Sequence, residues 1–280
     1  MLRRLRNKKQ RNNHLKNMNP KKNTAKLSAP LFAALFLFGC ASTNAPKADP
    51  LEGFNRATFA FNDTVDASVL KPIAQGYQAV TPSFVRAGVS HAFTNIGDVA
   101  SAVNSLLQGK PSEAATSAGR FLVNSTLGIL GLFDVATPMG LDRHNEDFGQ
   151  TLGKWGVGSG PYLVVPFMGP STVRDSTGRG VDSFMSWSKQ VDHIPTRNIT
   201  SVVELVDLRA NLLGAGKTLD EAALDKYQFL RDAYLQRRLR MVHDGKVSPE
   251  KLDKLEEDLE PPRAATTAMP PKKSNPPAKP

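Results

Sequence analysis

Few side chains here could carry covalent chemistry, and their spacing limits what they can do. Apart from His14 near the start, histidines fall at His91, His144, His193 and His243, with no pair four residues apart and no HExxH arrangement, so zinc-ligating patterns are missing. A hydrolase elbow of the form G-x-S-x-G is absent as well. Gly214-Ala215-Gly216-Lys217-Thr218 ends like a phosphate-binding loop, but the motif's opening position holds Asn211, and a helical pattern precedes it where a strand should. The caps of two adjoining helices explain these residues better. Gly156, Gly158 and Gly160 imitate a dinucleotide loop, yet Pro161 and an apolar run follow where a helix N-terminus should receive the phosphates. Asp142, Glu146 and Asp147 around His144 read as a solvated charged loop rather than an acid-base site. The expectation is a protein that is not an enzyme, with no metal and no cofactor.

One thiol remains. Cys40, the only cysteine, closes the apolar run Leu31-Phe32-Ala33-Ala34-Leu35-Phe36-Leu37-Phe38-Gly39. Upstream lie ten Lys and Arg residues and no acid, which gives the charged and apolar regions of a secretory signal. The run is shorter than the roughly 20 apolar residues a membrane span needs. Leu37-Phe38-Gly39-Cys40 resembles the bacterial lipobox, in which the thiol is acylated before cleavage; an ordinary signal peptide with a chance cysteine would need an A-x-A site, and none is near. At about 0.8 kcal/mol per buried methylene, two or three acyl chains hold a protein on a membrane. Ala41-Ser42 behind the cysteine, where an aspartate would retain a lipoprotein in the inner membrane, favours the outer membrane. Met18 offers a second start that would give a signal of ordinary length.

The formal charge of +10 suggests nucleic acid until it is located. All ten excess charges lie in Met1–Lys26; without them 26 basic residues face 26 acidic ones, and a basic nucleic-acid footprint is absent. Domain boundaries follow: 1–39 a signal peptide, 40–48 a lipidated cysteine and tether, 49–260 one helical domain, and 261–280 a Pro/Lys-rich tail that reads as disordered. About 210 residues suffice for a sizeable core. A tether of eight residues spans at most about 25 to 30 Å, which keeps the domain against the membrane.

The elements that must position any site are helices. Asp49-Pro50-Leu51-Glu52 predicts an N-cap and a helix carrying Phe54, Ala57, Phe61 and Val65, ending before Pro72. Thr81-Pro82 opens a second stretch, Phe84–Leu107, interrupted at Gly97 and stopped by Gly109, and Pro111 opens a third. Phe121–Phe133 carries no charge and is either a core helix turning on Gly128 and Gly131 or a surface in lipid; short apolar runs are usually buried. Phe148–Pro170 is too rich in glycine and proline for a continuous helix and reads as a shaped apolar loop, either an interface or a cover over the core. A helix starts near Arg174, an amphipathic one bearing Val202, Leu205 and Leu208 ends at Gly214, and Thr218 with Glu221 forms a capping box for a long helix stopped by Gly245. Ser248-Pro249-Glu250 opens a last short helix, and no strand alternation of useful length is present.

Asp49-Pro50-Leu51-Glu52-Gly53-Phe54-Asn55-Arg56, Asn104 with Leu107-Gln108-Gly109, Arg120-Phe121 with Asn124-Ser125-Thr126-Leu127-Gly128, and Asp134-Val135-Ala136 resemble the VacJ/MlaA lipoprotein family. Phe148–Gly153, Gly156-Val157-Gly158, Gly160-Pro161-Tyr162, Arg174-Asp175 and Arg231–Arg238 continue the match in order. The resemblance implies a mainly α fold: a single domain of amphipathic helices forming a ring with a central channel, embedded in the inner leaflet of the outer membrane. It implies a lipoprotein that removes phospholipid misplaced in the outer leaflet and passes it to a soluble periplasmic carrier, often bound to trimeric porins. Candidate lipid-contact or channel residues are Asn55, Arg56, Arg120, Trp155, Gly156, Gly158, Gly160, Pro161 and Tyr162, although Asn55, Arg56 and Arg120 suit capping or surface roles equally. A structural lipoprotein that only binds porins is the alternative.

Overall fold

The computed structural model describes residues 46–186 and 191–260. Cys40, the signal, most of the tether and the tail lie outside the described residues. Helices dominate. The first, α1 (Glu52–Val65), begins after a turn and lacks the Asp49 cap that the sequence suggests. Asp49 is fully buried instead, because three side chains offer its carboxylate better partners than a helix end does. Asn55 Nδ2 donates at 2.8 Å, the Tyr227 hydroxyl donates to the other oxygen, and the Arg231 guanidinium stands 3.5 Å away.

The expected stop before Pro72 is replaced by a π-helical turn, Asp66–Leu70, that runs directly into α2 (Lys71–Val80). Its wider winding, with Lys71 N–H bonded back to Asp66 O, accommodates a proline ring that would clash with a regular helical carbonyl. Next, α3 (Ser83–Leu107) passes Gly97 without a break. A Cβ at Gly97 would meet nothing within 4 Å, so this glycine marks no bend. Gly109, at φ +75°, reverses the chain into α4 (Pro111–Thr126), which packs along α3.

A short α5 (Phe148–Lys154) follows, capped by Asp147, which accepts from Gln150 N–H at 2.8 Å. The glycine- and proline-rich stretch beyond it contains an antiparallel hairpin, β1 (Tyr162–Val165) with β2 (Gly169–Thr172), pairing Tyr162 with Thr172 and Val165 with Gly169. Four-residue strands leave no alternation long enough to read. Thr172 caps α6 (Val173–Met185), which crosses α5 so closely that a Cβ on Gly178 would lie 2.3 Å from Gly149 N.

Then α7 (Ile194–Asn211) gives way to α8 (Leu213–Ala222), with Gly214 and Gly216 inside the second helix. The glycines therefore cap nothing, and the Thr218 hydroxyl bonds back to Gly214 O instead of opening a capping box. Asp225 caps α9 (Lys226–Val242). Gly245, at φ +76°, ends the turn behind α9, and α10 (Pro249–Leu259) folds back.

The apolar core is small: Tyr162, Val164, Tyr227, Leu235 and Leu259, joined by Phe59 and Tyr234. Edge-on aromatic contacts at 5.8 Å (Phe59 to Tyr227) and 6.2 Å (Tyr162 to Tyr227) knit it together. The start of the chain is sewn to it: Ala48 N–H bonds Asp258 O at the end of α10, and Ala48 O accepts from Tyr162 N–H at the start of β1.

Candidate functional site

Polarity in this molecule runs opposite to that of a water-soluble globule. Among the described residues, ten buried apolar side chains face twenty buried polar or charged ones. On α3 the buried positions are Asn95, Asp98, Ser101, Asn104 and Ser105, while Ile96, Val99, Val103, Leu106 and Leu107 point outward. On α7, Asp207 and Ala210 are buried and Ile199, Val202, Val203, Leu205 and Leu208 are exposed. Water would penalise such an outside, whereas hydrocarbon would favour it.

The exposed apolar surface culminates beyond α4. The helix stops at Thr126, and the turn that follows places Ile129 and Leu130 in the left-handed region, at φ 52° and 57°. Leu127, Ile129, Leu130 and Phe133 are all more than half exposed, so these side chains of Phe121–Phe133 lie at the surface and the core alternative does not hold. No helix among the described residues is long and apolar enough to cross a membrane.

A polar cavity of about 500 Å³, open on one side, is walled by α3, the loop before α5, α6 and α9. Arg238 fastens that wall with Nη1 to Asp147 at 2.5 Å and Nη2 to Asp175 at 2.9 Å. Burial pushes both carboxyls upward, but the hydrogen bonds and charge of Arg238 outweigh it and hold them below the usual carboxylate range. The Tyr234 hydroxyl donates to Asp175 at 2.8 Å, and burial with that neighbouring charge raises its pKa to about 12. Glu146 is paired with Lys110 at 3.0 Å, so Glu146 and Asp147 are wall components rather than a solvated loop. Arg143, Arg179 and Arg237 complete the wall. Sequence reasoning missed them as a set because three segments far apart in the chain supply them.

A second, mostly apolar groove of about 520 Å³ lies between α1, the hairpin tip, α8 and α9, with Phe59, Leu219, Phe229 and Leu230 in its wall. Its polar edge is the bidentate Arg209 to Asp66 pair at 2.6 and 2.7 Å. Lys71, Arg209, Gly216 and Asp220 also line an adjoining pocket, so apolar and charged walls run together.

The sequence-predicted residues fall into two groups. Asn55, Arg120 and Tyr162 are at most 1% exposed. Asn55 donates to Tyr162 O at 3.0 Å and accepts from Val164 N–H at 2.8 Å, which ties α1 to the hairpin. Arg120 spends its guanidinium on Asp98, Thr137, Leu141 O and Asp134. With Asn124 it anchors the return loop, whose Asp134 carboxyl is raised by burial but brought to about 2 by hydrogen bonds from Thr137 and Asn124. Arg56 pairs with Glu52 and Asp225 and lies 4.5 Å above the Tyr227 ring. Trp155, Gly156, Gly158, Gly160 and Pro161 are exposed, and the Trp155 indole donates to Leu107 O at 3.0 Å. No group of three His, Cys, Asp or Glu among the described residues could hold a metal ion.

These features define a class: a helical protein with a largely apolar exposed surface, polar side chains buried within it and an open, arginine-lined cavity. The profile of the MlaA lipoprotein family matches residues 47–240. The chain is 34% identical over 235 residues to the intermembrane phospholipid transport system lipoprotein MlaA of Escherichia coli, across 80% of this chain and 92% of that one. The lipoprotein of the same description from Haemophilus influenzae is 32% identical over 249 residues, 84% of this chain and 97% of its own. A solved structure described as the structural basis for maintenance of bacterial outer membrane lipid asymmetry superposes with a TM-score of 0.61 at 36% identity, over 69% of this chain and 98% of the other. The chain belongs to the MlaA lipoprotein family.

Proposed function

We propose that this chain is the outer-membrane lipoprotein of a phospholipid transport system. It removes phospholipid misplaced in the outer leaflet through an amphipathic path and passes it to a soluble periplasmic carrier, without catalysis of its own. The observation that carries this reading is the inverted polarity: an apolar exterior suits the inner leaflet, and a polar interior lowers the several kcal/mol that a charged headgroup pays in hydrocarbon. The relatives named for intermembrane phospholipid transport support it.

In this reading residues 1–39 are removed, Cys40 carries the acyl chains, 40–48 tether the domain 49–260 to the periplasmic face of the outer membrane, and 261–280 trail behind it. Trp155 and the exposed loop Gly156–Pro161 touch lipid or line the rim. Asn55 and Arg56 hold α1 against the hairpin and the start of α9, Arg120 holds the return loop after α4, and trimeric porins serve as a docking platform. The test is deletion of the gene with measurement of phospholipid in the outer leaflet. Accumulation that is reversed by the wild-type chain but not by Cys40→Ala is expected. An unchanged outer leaflet would remove the transport reading and leave a porin-binding scaffold.

A further inference from the structure

The charges around the polar cavity do not balance, and the surplus is specific. Every carboxylate on its wall is already engaged. Asp147 receives both terminal nitrogens of Arg238 and the Gln150 N–H. Asp175 receives Arg174 Nε at 2.9 Å, Arg238 and the Tyr234 hydroxyl. Glu146 has Lys110 on one oxygen and Gln108 on the other, at 3.0 and 2.8 Å. Arg143 faces Asp98 at 3.7 Å. Two guanidinium groups are left over: Arg179 and Arg237 line the pocket from its solvent-exposed mouth, and among the described residues neither has a carboxylate partner. Arg179 makes one further contact, from Nη2 to Pro170 O at 2.9 Å. Pro170 also belongs to the wall of the apolar groove, so this arginine stands between the charged cavity and the greasy one.

We propose that Arg179 and Arg237 bind the phosphodiester of a phospholipid headgroup in this cavity, and that the site favours headgroups of net negative charge over zwitterionic ones. The proposal rests on the transport reading and adds a selectivity to it. Two uncommitted guanidinium groups suit one phosphodiester, because planar donors match phosphate oxygens. An ethanolamine headgroup brings an ammonium that needs a carboxylate, and all three wall carboxylates are occupied. A glycerol headgroup brings hydroxyls alone and so adds no positive charge beside the two guanidinium groups. Meanwhile, the acyl chains would lie along Phe59, Leu219 and Leu230.

The test uses the acylated full chain in neutral detergent, titrated at about 50 mM salt with dioleoylphosphatidylglycerol or dioleoylphosphatidylethanolamine, with retained lipid counted by native mass spectrometry. The wild type is expected to retain the glycerol lipid roughly tenfold more tightly. Arg179→Gln with Arg237→Gln should abolish that preference, and lysine at both positions should restore part of it. Equal retention of both lipids by the wild type, or a preference that survives the double glutamine change, would overturn the proposal while leaving transport intact. Failure to retain either lipid would strike the transport reading itself. Inorganic phosphate forms a separate arm: protection against heating by phosphate, with none from the glycerol lipid, would assign the cavity to a free anion and overturn the lipid site.

Discussion

Asparagine at positions 129 and 130 should make the domain more stable and, at the same time, worse at binding membranes. Ile129 and Leu130 sit at φ 52° and 57°, a conformation that costs an ordinary L-residue about 1–2 kcal/mol and that asparagine tolerates. Relief at both positions is worth roughly 1–3 kcal/mol in the folded state. Their side chains are 59% and 79% exposed, so neither contributes much to packing. Sinking a leucine or isoleucine fully into an apolar medium is worth about 1.5–3 kcal/mol. Scaling by those exposures gives about 2–4 kcal/mol for the pair, near a hundredfold in partitioning. The assay pairs urea unfolding with flotation on neutral vesicles, both on the Cys40→Ala chain so that acyl chains do not mask the loss. A variant that loses stability together with binding would mean the tip is packed core. Unchanged flotation would mean the tip never meets lipid.

Arg120→Met should cost about 3–5 kcal/mol in urea unfolding, because Asp98 stays buried without its cation; transport should fall only in proportion to the folded protein lost, and a transport defect at full stability would make Arg120 a channel residue. Gly178→Ala should prevent α5 and α6 from closing, since its Cβ would meet backbone atoms of Gly149 at 2.3 and 2.6 Å; wild-type thermal stability in that variant would contradict the crossing. Asp134, depressed to about 2 when folded against about 3.9 unfolded, stabilises fully above pH 4 and loses that contribution as pH falls toward 2. The stability gap between wild type and Asp134→Asn should therefore shrink across that interval, and a gap that widens in acid would reverse the assignment.

Helix signals with a local cause were legible in the sequence. Pro111 and Pro249 open helices where proline at a first turn should, and Gly109 and Gly245 end turns at positive φ. Tertiary partners decided the rest. Asp49 left the helix end for Asn55 and for Tyr227 and Arg231, the last two being residues that only folding brings near it. Gly214 and Gly216 stayed helical because neither has a positive φ. The apolar run Phe121–Phe133 was ambiguous for a physical reason: core and lipid select the same side chains, so hydrophobicity alone cannot separate them. A discriminating signal did exist on α3, where Asn95, Asp98, Ser101, Asn104 and Ser105 recur at helical spacing between apolar neighbours. A polar stripe on an apolar helix marks the inside when the solvent is hydrocarbon. The cavity arginines were illegible because Arg143, Arg179 and Arg237 converge only through the α5 and α6 crossing and the return of α9.

Ala48 is stitched on one side to Asp258 and on the other to Tyr162, and Leu259 fills the core beneath. If Cys40 carries the proposed acyl chains, this seam acts as a mooring cleat, and the last helix is half of it. Ending the chain at residue 247, beyond the last cavity residue and before the last helix, would unpick the cleat, give slack to the domain and let it drift from the bilayer while its cavity walls stayed whole. A chain shortened in that way should keep its lipid and lose its station.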